Sequence, residues 1–369
     1  MKSSLFKAVA LSVLLLNACS STGGSYTFGA IGPLTGDASA YGVEFQRAVE
    51  LATQDINAEW ASTGQTLSFE WEDGMCNGKD ASTAAQKLVD IDSVNIILGA
   101  FCSSETLAAA EITQPAGVLL FSPGSSSPAI TDAGDLVYRN WPSDAFQGTK
   151  LAEMAYDSGY KTVAMISEEQ DYTKGISGSF TAKFEELGGT VIEEMYLSED
   201  TDFKTQLTKL SCAAPDIYFV NPQTPAKADV IFKQMQDMGL KGPFLLNDAA
   251  GTSTDILTTY KDFLEGSYTA TPYVDEQNAD AIALKTRYEE SYGESVQYLG
   301  YFLTAYDATW ILANGIAANG SDDPAAMKSY LDALSYTGLA GIVSFDENGD
   351  PETGHSIYKV VDGTIIKVD

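Results

Sequence analysis

Val94-Asn95-Ile96-Ile97-Leu98-Gly99-Ala100-Phe101-Cys102-Ser103-Ser104-Glu105-Thr106 is the stretch on which the fold turns. Residues 94–100 are almost wholly apolar and read as a strand buried on both faces. A serine-rich loop follows, and a helix over about 104–112 comes after it. The same unit recurs directly: 118–121 is apolar, and Ser122-Pro123-Gly124-Ser125-Ser126-Ser127-Pro128 follows. Short buried strands alternating with helices imply a parallel sheet covered on both faces. Ligands of such sheets bind beyond the carboxyl ends of the strands. Short hydroxyls and free amides there can hold a small anion without adding charge.

Outward from this stretch the alternation continues. Strands are predicted over 27–31 and 67–73, with helices over 42–58 and 82–89. Phe45, Val49, Ala52 and Ile56 share one face of the first helix at spacings of three and four. The pattern restarts after Asn140. Helices are predicted over 145–158, 174–187, 203–209 and 227–238. Strands are predicted over 162–167, 190–197, 216–220 and 244–247. Gly188-Gly189 ends the helix carrying Ile176, Phe180, Phe184 and Leu187, as glycine beyond a helix end should. Residues 267–273 read as an extended crossing segment. Helices over 279–292, 300–319 and 324–335 and strands over 342–345 and 357–361 complete the chain. Two αβ units of similar size and order suggest a duplicated α/β architecture.

The chain of 369 residues opens like an export signal. Lys2 and Lys7 supply positive charge, and 8–16 is an apolar core too short for a permanent membrane span. Leu16-Asn17-Ala18-Cys19 matches a lipobox, the cleavage and lipidation site of bacterial lipoproteins. Residues 1–18 are therefore expected to be a signal peptide, Cys19 the lipid-bearing residue, and 19–25 a tether. Membrane attachment is expected only through that lipid. A formal net charge of −30 argues against nucleic acid as a partner. It also keeps an exported protein soluble.

Cys76 and Cys102 each follow a predicted strand. Adjacent parallel strands would bring them within bridging distance in an oxidising compartment. Cys212 is left over, and it reads as a part-buried filler before the strand at 216–220.

Several chemistries are poorly served. A Ser-His-acid triad needs a base in reach of its nucleophile. The single histidine, His355, sits after the turn-like Pro351-Glu352-Thr353-Gly354 and reads as a surface residue. Zinc patterns are missing, since there is one histidine and no Cys-x-x-Cys pair. Asp346-Glu347-Asn348-Gly349-Asp350 lacks the later glutamate of a calcium loop and reads as a hairpin turn. Gly29-Ala30-Ile31-Gly32-Pro33-Leu34-Thr35-Gly36 carries neither a P-loop ending nor a dinucleotide fingerprint. No metal, cofactor or catalytic residue is expected.

What remains is a set of polar strand ends that suits a small zwitterion. Ser103 heads a helix whose amides and dipole favour an anion. Gly124, Ser125 and Ser126 offer backbone groups and hydroxyls. Asp248 ends the strand Leu245-Leu246-Asn247, and Tyr172 follows the strand at 162–167. Hydroxyls and amides would take a carboxylate, and the aspartate an ammonium. Each hydrogen bond to a charged group contributes about 1.5 to 3 kcal/mol.

The mature chain resembles the bacterial periplasmic leucine/isoleucine/valine-binding proteins, solute receptors of branched-chain amino-acid ABC transporters. The residues that carry the resemblance are Ile31-Gly32-Pro33-Leu34-Thr35-Gly36 with Tyr41-Gly42, Asp73-Gly74-Met75-Cys76, Phe101-Cys102-Ser103-Ser104 and Phe121-Ser122-Pro123. Gln170-Asp171-Tyr172, Thr201-Asp202-Phe203, Glu265-Gly266-Ser267-Tyr268 and Tyr306-Asp307-Ala308 extend it. The resemblance implies a type I periplasmic binding protein fold. In that fold two Rossmann-like parallel-sheet lobes are joined by three crossovers, and the ligand lies in the cleft between them. Residues 26–140 with 272–352 would form lobe 1, and 141–271 with 353–369 lobe 2.

The resemblance also assigns roles. Ser103 and Ser126 would face the ligand carboxylate, the Gly124 carbonyl and Asp248 its ammonium, and Tyr172 would close over it. Tyr41 would line the side-chain pocket. Asn221-Pro222-Gln223 stands where branched-chain binders can carry a tyrosine, and Trp141 follows the first crossover. Gln223 and Trp141 therefore leave room for a polar or aromatic amino acid, an amide or urea as the ligand. The implied partners are a free amino acid and the permease subunits of an importer, served by a monomer at the cell envelope. Two other readings stand beside it: a ligand-sensing lipoprotein that reports to a signalling partner, and a small-amide hydrolase using a cleft serine.

Overall fold

The computed structural model describes residues 24–368. The predicted signal peptide and the lipidation site Cys19 lie outside the described residues, as does most of the tether. Ten strands in chain order build most of two sheets: β1 Ser25–Gly32, β2 Thr66–Asp73, β3 Ile96–Leu98, β4 Leu119–Ser122, β5 Val137–Arg139, β6 Thr162–Glu168, β7 Thr190–Tyr196, β8 Ile217–Asn221, β9 Phe244–Leu246 and β10 Tyr268–Pro272. A two-stranded ribbon, β11 Tyr336–Thr337 and β12 Ile342–Val343, precedes β13 His355–Val361 and β14 Thr364–Lys367. The first sheet runs β2-β1-β3-β4-β5, with every pairing parallel. The second runs β14-β13-β10-β9-β8-β6-β7, parallel except where β13 pairs with β10 and β14. The chain is α/β, as the alternation implied.

Period-two alternation explains why each sheet needs helices on both faces. In the first, Ile96 and Leu98 pack with Leu119 and Phe121 against the helices Ser39–Trp60 and Leu299–Asn319. Ile97 and Leu120 point the other way, toward Leu88 and Ala109 of the helices Gly78–Asp90 and Ser103–Ala116. In the second, Ala164, Ile166, Val220 and Leu246 meet Phe203, Leu207 and Phe232. Val163, Met165, Phe219 and Leu245 meet Leu151, Ile176 and Phe180.

Strand β3 is shorter than its apolar run. Gly99 has φ +119°, and a Cβ there would stand 2.3 Å from the Ile31 carbonyl oxygen. Only glycine fits there; its amide still donates to the Phe121 carbonyl at 2.7 Å, and the serine-rich loop begins beyond it. Strand β5 and the edge strand β14 have no sequence signal of their own. The first is three residues long, and the second shows little burial.

Three further expectations change. Strands β2 and β3 are not neighbours, because β1 lies between them. The Cys76–Cys102 disulfide nevertheless forms, with Cα atoms 5.3 Å apart, because both loops bend over the end of β1. His355 is buried, not on the surface, because it starts β13 opposite Pro272. Burial pulls its imidazole down to about 3 and keeps it neutral. Cys212 ends the helix Lys204–Cys212 and is exposed, not part-buried.

The chain passes between the sheets after β5, after β10 and before β13. Arg139, fully buried, ties the first and third passages together. Its Nε and Nη2 donate to Asp350 at 2.6 and 2.8 Å, and Nη1 donates to the Ser127 carbonyl at 2.7 Å. Asp350 closes the predicted turn, in which the Asp346 amide donates to its carbonyl at 2.9 Å. Among the described residues no helix is long and apolar enough to cross a membrane.

Candidate ligand-binding site

The loop after β3 is held rigidly. Glu105, wholly buried in the first turn of its helix, accepts from the amides of Cys102 at 2.8 Å, Phe101 at 3.2 Å and Cys76 at 2.8 Å. Burial pushes this carboxyl up to about 7 against the pull of the three amides. The helix start is thus braced from within, and the disulfide braces it from β2.

The loop after β4 hangs on the first. The Ser103 hydroxyl oxygen accepts the amides of Ser126 at 3.2 Å and Ser127 at 3.0 Å. Those two amides are therefore occupied, and Ser103 keeps only its O–H to offer a ligand. Gly124 is glycine because a Cβ would lie 2.8 Å from the Phe101 ring. Ser125 turns inward. Its hydroxyl meets Thr106 at 2.7 Å and the Phe101 carbonyl at 2.9 Å, so it holds the loop together.

From the second sheet comes Asp248, at the end of β9 and buried. Tyr172, in the first turn of the helix Asp171–Glu186, donates its hydroxyl to Asp248 Oδ1. Gln147 Nε2 donates to the same oxygen at 2.8 Å, and Tyr301 donates to Oδ2 at 2.8 Å. Burial and the adjacent Asp248 charge push both phenols well above their usual range, so both remain donors.

These parts surround one small cavity that opens to solvent. Its walls are Tyr41, Phe101, Cys102, Ser103, Gly124, Ser126, Tyr172, Gln223, Ala249 and Tyr301. Six sequence-predicted residues thus line it: Tyr41, Ser103, Gly124, Ser126, Tyr172 and Gln223. Asp248 stands just behind the wall, screened by Tyr172 and Tyr301. Trp141 is not on this wall. It stacks on Tyr301, ring centroids 4.1 Å apart, and lines a larger neighbouring cleft instead.

Sequence reasoning missed Phe101, Tyr301 and Ala249. Tyr301 lies on the helix Leu299–Asn319, about 180 residues from the serine loops. Phe101 was quoted in the motif but read as the strand's end. It stacks on Tyr41 at 5.9 Å and meets Tyr301 edge-on at 5.3 Å, making an aromatic wall. Among the described residues no group of three His, Cys, Asp or Glu side chains could hold a metal ion.

Comparison with known proteins agrees with this architecture. The periplasmic binding protein family matches residues 25–364. The leucine-, isoleucine-, valine-, threonine- and alanine-binding protein of Pseudomonas aeruginosa is 31% identical over 327 residues, covering 86% of this chain and 85% of that protein. The crystal structure of a leucine-binding protein from Thermotoga maritima superposes with a TM-score of 0.82 at 27% identity, covering 93% and 98% of the two chains. A Rhodopseudomonas palustris solute-binding protein in complex with 3,4-dihydroxybenzoic acid shares the fold, with a TM-score of 0.79 at 21% identity and coverage of 93% and 96%. This chain belongs to the periplasmic binding protein family.

Proposed function

We propose that this protein captures a free amino acid, of branched-chain type or related, and delivers it to the permease of an ABC importer. The single observation that carries this reading is convergence. Hydroxyl-bearing loops from the first sheet and Tyr172 from the second meet at one cavity, with Asp248 bonded to Tyr172 behind its wall. That arrangement offers a carboxylate the O–H groups of Ser103 and Ser126, and offers an ammonium the Gly124 carbonyl and Asp248. Tyr41 and Phe101 would enclose an apolar side chain, and Gln223 would meet a polar one.

The mechanism would be lobe closure without bond chemistry. The lobes would be 26–140 with 272–352, and 141–271 with 353–369. Contacts across the cleft favour the closed form: the Ser104 hydroxyl donates to Gln170 at 3.1 Å, and Lys227 lies 3.7 Å from Asp37. A ligand bridging both walls adds contacts only when closed, and so shifts the equilibrium. The protein would be exported, monomeric and held to the cell envelope by a lipid on Cys19.

A thermal-shift screen of the purified chain against the amino acids, simple amides, urea and hydroxybenzoates tests the reading. Calorimetry on each hit follows. Stabilisation by one or a few amino acids is expected. Stabilisation by urea or an aromatic acid alone would overturn the amino-acid assignment.

A further inference from the structure

Three strand ends of the second sheet bring residues to the cavity wall separately: β6 leads to Tyr172, β8 to Gln223 and β9 to Ala249. Two asparagines that do not line the cavity tie them together. Asn221 ends β8, Asn247 follows β9, and both are fully buried. Asn247 Nδ2 donates to Asn221 Oδ1 at 3.0 Å and to the Pro222 carbonyl at 2.7 Å. Its Oδ1 accepts the Ala250 amide at 3.1 Å. Asn221 Nδ2 donates to Ser167 Oγ at 3.1 Å and to the Thr173 carbonyl at 2.9 Å.

The relay closes into a ring. Thr173 Oγ1 donates to the Glu168 carbonyl, and Glu168 Oε2 accepts the Gln223 amide at 3.0 Å. Gln223 follows Pro222, whose carbonyl Asn247 holds, and precedes Thr224, which caps the helix Pro225–Asp237. Its backbone is therefore fixed on both sides. Its carboxamide is not: Gln223 lines the cavity half-buried, and among the described residues none bonds to that group. Both N–H donors of each asparagine are spent within the ring. Aspartate has the same shape and only acceptors, and alanine has neither, so the ring depends on asparagine at both positions.

We propose that Asn221 and Asn247 are positioning residues for the Gln223 carboxamide, which they aim at the ligand's side chain. The site then prefers an amino acid with a hydrogen-bonding side chain to its apolar isostere. A carboxamide offers two donors and an acceptor. Lobe closure shuts out the water that would otherwise serve them. An apolar side chain leaves them unmet at the full cost of desolvation, whereas a hydroxyl or an amide meets one or two. This rests on the receptor reading above and narrows its ligand class.

A ratio of affinities separates positioning from general support. Threonine and valine have nearly the same shape and differ by a hydroxyl against a methyl. Asparagine and leucine, glutamine and methionine, and tyrosine and phenylalanine form similar pairs. Asn247 also caps the short helix Asp248–Gly251, so its loss can shift Asp248. Such a shift weakens both members of a pair alike, because both carry the same ammonium and carboxylate. Only a change at the side-chain end alters the ratio within a pair.

The test is calorimetry of wild type, Gln223→Leu, Asn247→Ala and the double variant with these pairs. In the pair that wild type binds best, the polar member should bind tighter by about 10-fold. Gln223→Leu should bring that ratio to about one or below. Asn247→Ala should lower the ratio with circular dichroism unchanged, and should lower it no further in the Gln223→Leu background. Equal or tighter binding of the apolar member by wild type overturns the specificity. An unchanged ratio in Asn247→Ala, or effects that add in the double variant, overturns the relay. Both of these outcomes leave the receptor reading standing. Should Asn247→Ala not fold, Asn221→Ser takes its place with the same expectations, and the wild-type and Gln223→Leu ratios decide the specificity without either. Binding of no amino acid at all overturns the receptor reading itself.

Discussion

Tyr301 donates its hydroxyl to Asp248 Oδ2 at 2.8 Å, and so joins a helix packed on the first sheet to a strand end of the second. The same ring lines the cavity, packs on Trp141 and meets Phe101 edge-on. One residue therefore serves as wall, as bridge between the sheets and as support for the acidic group. Tyr301→Phe keeps the ring and removes only the bridge. We expect ligand affinity to fall by about 10-fold, with thermal stability of the empty protein shifted by less than ~1 kcal/mol. An affinity equal to wild type by calorimetry would mean that the bridge plays no part in closure.

Asp248→Asn preserves shape and removes charge. Amino-acid affinity should drop by ~100-fold or more, while circular dichroism stays as in wild type. Near-normal affinity in this variant would count heavily against an ammonium at this end of the cavity.

Loss of the Cys76–Cys102 bridge should destabilise the chain. The cysteines are 26 residues apart, and a loop of that length corresponds to about 3.5 kcal/mol in the chain-entropy account. The double Cys→Ser variant should melt several degrees lower. Its effect on affinity should be smaller, because Glu105 still holds the Cys76, Phe101 and Cys102 amides.

Stability should fall as pH rises through neutrality. Burial lifts Glu44, Glu105 and Asp307 each to about 7, above the range these carboxyls have when unfolded. A raised acid is protonated in the folded state while the unfolded chain has already ionised. Its contribution is therefore complete below the unfolded value and lost as pH climbs through about 7. Melting temperature should drop by roughly 5 °C or more between pH 5.5 and 8. A flat profile across that window would show that the three backbone amides on Glu105, and those on Glu44 and Asp307, keep the carboxylates ionised throughout.

Asp350→Ala leaves the buried Arg139 guanidinium without its carboxylate. Breaking a buried pair in this way costs about 3 to 5 kcal/mol. Chemical denaturation should register that loss, which is larger than expected for any of the exposed ion pairs such as Lys174–Glu169.

Much of the architecture was legible because burial leaves a local mark. The almost wholly apolar run at 94–100, the apolar run at 118–121 and helix stripes such as Ile176, Phe180 and Phe184 each announce their own element. Boundaries that rest on a neighbour were less so. Position 99 must be glycine because the Ile31 carbonyl crowds any Cβ there, and no local pattern encodes that crowding. His355 reads as polar and turn-adjacent, yet β13 carries it inside against Pro272.

The polar strand ends and the serine loops were legible in the sequence alone, since each depends on residues within a few positions of one another. Which of those groups remain available was decided only by the tertiary structure. It spends the Ser126 and Ser127 amides on Ser103 and turns Ser125 inward. It also brings Tyr301 to the cavity and buries Asp144 without a partner. The physical reason is that a hydrogen bond consumes its donor. Whether a loop amide is free for a ligand depends on what the rest of the fold has set beside it, and that partner can lie anywhere in the chain.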